Sequence, residues 1–148
     1  MKEGIGGTFM IYVFLIFLAV YTAFLAVAFN YARAFRVKNK ITDIIEQNEG
    51  ITSYTDVSTE SVLGQIDEYL GEVSYRIEGF TKNNYCPDDV YANLDRGYCI
   101  NKTSHVIDGM IIEYYKVTTF IKLEIPFLEW FSYTIPIKGE TRKIERIT

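Results

Sequence analysis

Between Thr8 and Phe29 the chain runs 22 residues without a charged side chain, dominated by Phe, Leu, Val, Ile and Ala. A helix rising about 1.5 Å per residue covers roughly 33 Å over that stretch, enough to cross a hydrocarbon core of about 30 Å. A secretory signal has a shorter apolar region, roughly 7 to 15 residues, that ends at a small-residue cleavage site. Here the run is longer and passes into Tyr31, Ala32, Arg33, Ala34, Phe35 and Arg36 with no Gly or Pro to stop a helix. It is also apolar on every face, unlike the one-sided stripe of a helix on a soluble core. We therefore expect a retained, single-pass transmembrane helix over residues 8–30. A short polar leader, 1–7, precedes it and loses at most a few residues.

From residue 31 the pattern becomes periodic. Ala34, Val37, Ile41, Ile44 and Ile45 recur at three-and-four spacing with charges between them, which predicts an amphipathic extension of the same helix over 31–49. The whole helix is expected from about Gly7 to Asn48, with Gly50 as its stop. Val37, Ile41, Ile44 and Ile45 are the residues expected to pack on a sheet. A second, short helix is predicted in "TESVLGQIDEYLGEV", with Val62, Ile66, Tyr69, Leu70 and Val73 as its stripe. Ser58 is the expected N-cap with Glu60 in the first turn. Gly64 and Gly71 weaken this helix, and Asp67, Glu68 and Glu72 read as its solvated face.

Beyond that the period shortens. "SYRIEGF" reads as a short strand, followed by a loop that holds two cysteines. In "GMIIEYYKVTTFIKLEIPFL", Val117, Thr119, Ile121, Leu123 and Ile125 alternate with Lys116, Thr118, Lys122 and Glu124. That alternation predicts an antiparallel strand with one face on a core and one mostly wet, Phe120 being the exception. Pro126 ends or edges it, "LEW" forms a connection, and "SYTIPIKGETRKI" returns as a strand with Tyr133, Ile135 and Ile137 on one face. The expected fold class is α+β. It comprises a long N-terminal helix, a second short helix and a small antiparallel sheet of about 3–4 strands, the last two within a domain over 50–148.

Charge and chemistry add limits. The formal net charge of −4 gives no electrostatic case for nucleic acid. Cys86 and Cys99 bracket "PDDVYANLDRGY", a loop whose closure by a disulfide contributes about 3 kcal/mol in the chain-entropy model; the alternative is two unrelated buried thiols. Arg33, Arg36, Lys38 and Lys40 follow the apolar run while only Lys2 precedes it. The positive-inside tendency would leave the domain in the cytoplasm, whereas a disulfide requires an oxidising compartment. There is no Gly-x-Ser-x-Gly, no His-Glu-x-x-His, no Cys-x-x-Cys and no phosphate-cradling Gly-rich loop. The lone His105 reads as an exposed loop residue, Asp88 and Asp89 as a solvated turn, and "NKT" at Asn101 as a chance match to a glycosylation acceptor. No enzyme activity, metal or cofactor is expected.

Taken together, "MKEGIGG", the apolar helix that begins at once, its amphipathic continuation and the late Cys-loop-Cys resemble the type IV pilin superfamily, pseudopilins included. The closing "YKVTTFIKLEIPFLEWFSYTIPIKGETRKI" is similar to the final hairpin of TadE-like minor pilins of the Tad/Flp system. The resemblance implies a structural subunit of a bacterial cytoplasmic membrane, its domain extracytoplasmic, with partners in the lipid bilayer, other pilin-like subunits and a pilus assembly platform. It assigns Phe9, Phe14 and Leu18 to membrane and filament contact, and Ala19, Ala23, Ala26 and Ala28 to close helix approach. The Glu that such pilins carry five residues after the cleavage Gly is absent, since Phe9, Ile11 or Tyr12 would stand there. The competing expectation is a tethered binding module whose domain faces the cytoplasm.

Overall fold

The computed structural model describes residues 2–55, 58–77, 86, 91–107, 109–124 and 132–147. One continuous helix, α1, spans Lys2–Gln47, and a second, α2, spans Val62–Glu72. Five strands follow: β1 Tyr91–Asn93, β2 Tyr98–Ile107, β3 Met110–Glu124, β4 Ser132–Glu140 and β5 Ile144–Ile147. This is an α+β fold in the expected order. The sheet is antiparallel throughout and ordered β1-β2-β3-β4, with β5 also paired to β3.

The extra strand comes from a break in the returning segment. β4 pairs with residues 116–124 of β3 up to Lys116↔Glu140, and β5 resumes at Glu113↔Ile144. Three residues of the returning chain therefore face two of β3, a bulge. Buried Thr141 bridges it: its N–H donates to the Tyr115 carbonyl at 2.9 Å and its hydroxyl accepts from the Tyr115 N–H at 2.9 Å.

β3 is the centre of the molecule because it is paired on both edges and covered on both faces. Tyr115, Val117 and Thr119 face α1, and the register places Tyr98 and Ile100 of β2 beside them; all five are fully buried. Ala34, Val37, Ile41, Ile44 and Ile45 of α1 are buried as well, and α1 packs chiefly on β3 and β4. The Thr119 hydroxyl donates to the Ala34 carbonyl at 3.3 Å. The other face of β3 is drier than the alternation predicts. Thr118, Phe120 and Cys99 are buried there, and Cys86, itself buried, is tied to that side by the disulfide.

Both helices end in backbone caps that steer the chain. At the end of α1, Glu49 takes φ 53° and Gly50 φ 104°, and the Gly50 N–H donates back to the Ile45 carbonyl at 2.9 Å. The Tyr115 hydroxyl fills the space that a Gly50 side chain would occupy and accepts from the Ile51 N–H at 3.1 Å. The N-cap of α2 is Ser61 rather than Ser58: its hydroxyl accepts from the Gly64 N–H at 3.0 Å. Ser58 instead closes the preceding turn by accepting from Ser61, which leaves Glu60 ahead of the helix. Residues 74–77 are not a strand. Ser74 and Tyr75 use their N–H groups to cap α2 at Gly71 and Leu70, so those donors are spent before any sheet. Residues 78–80, Pro126 and the "LEW" connection lie outside the described residues.

Candidate functional site

The apolar half of α1 is the first candidate. Phe9 is 68% exposed, Phe14 62% and Leu18 46%. Among the described residues α1 is the one helix long and apolar enough to cross a membrane, and no part of its most apolar window is buried within the chain. Apolar area on that scale requires lipid or other apolar helices around it. On an ideal helix, Ala19, Ala23 and Ala26 share a face at three-and-four spacing, while Ala28, nine residues from Ala19, lies on the opposite side. The same geometry brings the first three into line with Val37, Ile41 and Ile44, so one stripe of α1 continues from small residues into the domain-facing set.

At the junction between the two halves, residues from distant parts of the chain converge. Tyr31 and Phe35, one turn apart, stack with ring centroids 6.5 Å apart. The Arg33 Nη2 donates to the carbonyls of Val73 and Ser74 at 2.6 and 2.8 Å, and its guanidinium lies 5.9 Å from the centre of the Tyr75 ring. Burial pushes the Tyr75 hydroxyl up to about 12; it donates to the Phe120 carbonyl. Arg33 therefore ties α1 to the end of α2. A cavity of about 90 Å³ opens beside it, walled by α1, residues 75–77 and residues 120–122 of β3.

The domain is held on α2 and the β1–β2 hairpin by a second polar set. The Asp67 Oδ1 accepts from Asn93 Nδ2 at 3.0 Å and from the Tyr98 hydroxyl at 3.3 Å. Burial raises the Asp67 carboxyl above its ordinary value, against the opposing pull of these hydrogen bonds and of Arg96. Burial, together with the Asp67 charge, raises the Tyr98 hydroxyl. Asp67 is thus no part of a solvated face; Glu68 and Glu72 are exposed. The cysteines form the Cys86–Cys99 disulfide. Cys99 lies in β2 between buried Tyr98 and Ile100 rather than in an exposed loop, because residues 91–97 fold as β1 and a turn.

No protein-family model, curated protein or solved structure matches the chain. Its chemistry is read from the residues alone. Among the described residues no group of three or more His, Cys, Asp or Glu converges as a metal site would need. His105 is exposed, but on β2 rather than in a loop, with its ring 6.1 Å from that of Tyr114. Asn101 is also in β2, paired with Lys116. Asp88 and Asp89 lie outside the described residues. Among the described residues, the shortest ion pair joins partly buried Lys102 to buried Glu113 at 2.7 Å, and it braces β2 against β3. Sequence reasoning missed Arg33 and Asp67 because their partners lie 26 to 41 residues away, beyond any local pattern.

Proposed function

We propose that the chain is a membrane-anchored, non-enzymatic structural subunit: a TadE-like minor pilin that takes part in assembly of a Tad/type IV pilus or a related secretion filament. The observation that carries the reading is a single helix with two fates. Its first half exposes apolar side chains all round, and its second half is the spine of a small sheet domain. A rigid connection of that kind lets a subunit leave the bilayer as one piece, its apolar half exchanging lipid for neighbouring helices. The resemblance in the opening block and in the closing hairpin supplies the filament part of the proposal. The experiment is deletion of the chain from its native cell, scored by filaments sheared from the surface. Loss or shortening of filaments, restored by the full chain and not by one lacking residues 8–30, is expected; unchanged filaments overturn the reading.

The second reading, a tethered binding module with a cytoplasmic domain, is favoured by Arg33, Arg36, Lys38 and Lys40 behind the apolar run. The disulfide weighs against it. A membrane-impermeant maleimide applied to intact cells separates the two. Labelling of the cysteines only after reduction supports an external, bridged domain; labelling only after lysis, without reductant, supports the internal one.

A further inference from the structure

We propose that the cavity at the junction of α1 with the domain binds the phosphate of an anionic phospholipid headgroup. This rests on the membrane-anchored part of the proposed function and not on filament assembly.

Depth is the first argument. The apolar run ends at Phe29, and the cavity begins at Asn30. Arg33 is four residues further, about 6 Å along the helix axis. The polar layer of each leaflet is about 5–8 Å thick, so a helix spanning the core through Phe29 holds the cavity mouth among the headgroups. Tyr31 and Phe35, exposed and stacked at the same level, suit that aromatic-rich interface.

Charge is the second. Arg33, Arg76 and Lys122 line the cavity, and none of its described lining residues is acidic, in a chain whose net charge is −4. Arg33 is already held in place, because Nη2 is bound to two carbonyls; a guanidinium carries further N–H donors on its other edge. A planar fork held rigid in this way loses little freedom on gripping a phosphate. Arg76 is exposed and, among the described residues, forms no ion pair. Ala34, Ile77 and Ile121 also line it and supply apolar surface that fits the glycerol and first acyl carbons rather than a free inorganic anion. An amphiphile matches both halves of the cavity.

The test uses the full chain. Flotation with phosphatidylcholine vesicles comes first: a chain that does not float loses the membrane reading itself, and this inference with it. The floating chain is then taken into a neutral detergent and titrated with phosphatidylglycerol, phosphatidylcholine or inorganic phosphate, bound molecules being counted by native mass spectrometry. Preferential retention of phosphatidylglycerol is expected, with the affinity of Arg76→Gln/Lys122→Gln reduced about tenfold or more, as the loss of two cations at a lipid surface implies. The charge-matched control Arg36→Gln/Lys40→Gln, on exposed helix positions outside the cavity, is expected to bind as the parent does. Arg76→Lys keeps the charge and most of the binding. Equal losses in both double variants, or inorganic phosphate bound as well as phosphatidylglycerol, overturn the site, because diffuse charge attraction or a free-anion site then accounts for the result.

Discussion

A methyl group at Gly64 would lie 1.9 Å from the Ser58 carbonyl oxygen, while one at Gly71 would meet only an Arg96 nitrogen at 3.5 Å. Both glycines cost α2 the same intrinsic propensity, about 1 kcal/mol against Ala, yet only one has a reason to be there. The turn that delivers Ser61 as N-cap crosses the helix at Gly64, and a backbone carbonyl cannot move aside as a flexible side chain can. Gly64→Ala is expected to destabilise the chain by about 1–3 kcal/mol. Gly71→Ala is expected to stabilise it by up to about 1 kcal/mol. Urea midpoints of the two variants in detergent check the opposite signs. Asp67 belongs to the same scale. Folding raises its pKa above the ordinary 3.8, so folding favours its protonated form. That contribution is fully present below 3.8 and is lost as pH rises through the raised value. Asp67→Asn stays neutral and keeps an acceptor for Tyr98, so its melting temperature is expected to vary less over the window just above that value. A profile parallel to that of the parent would refute the burial account.

At the scale of elements, α1 is two helices in one. Its polar-to-apolar spacing made the buried stripe legible, because a helix that faces water on one side alone writes its period into the sequence. The same positions separate spine from surface. Ile45 is fully buried and Phe35 is 42% exposed. Ile45→Ala is therefore expected to cost about 2–5 kcal/mol, and Phe35→Ala less than about 1 kcal/mol, as read from denaturant midpoints. The strands were less legible. The alternation along β3 pointed to one wet face, but a strand paired on both edges and covered on both sides loses that signal at Thr118 and Phe120. The break between β4 and β5 had no local mark, since Thr141 acts through Tyr115 26 residues earlier.

For the whole molecule, the disulfide is the one covalent tie between distant segments, and it joins the far face of the sheet to the segment that precedes β1. Its sequence separation of 13 residues corresponds to about 3 kcal/mol of chain-entropy stabilisation. Cys86→Ala/Cys99→Ala is expected to lower the unfolding free energy by about that amount, and reductant is expected to lower the parent's midpoint while leaving the double variant's unchanged. Both cysteine sulfurs belong to buried residues, so reduction under native conditions is expected to be slow and to speed up with denaturant. Arg33 is the counterpart on the near side: its guanidinium fastens α1 to the end of α2.

What the sequence by itself determined is whatever depends on a residue and its near neighbours. The charge-free length of the anchor, the three-and-four stripe of α1, the glycine stop at its end and the alternation along β3 are all of this kind, because solvent on one side and burial on the other repeat with the local geometry of the chain. Only the tertiary structure decided that Asp67 turns inward to Tyr98, that the returning strand breaks at Thr141, and that Arg33 bonds to Val73 and Ser74 and shares one cavity with Arg76 and Lys122. Each of these joins groups far apart in sequence. Which donor meets which acceptor is then settled by how whole elements pack, and no short window of residues carries that information.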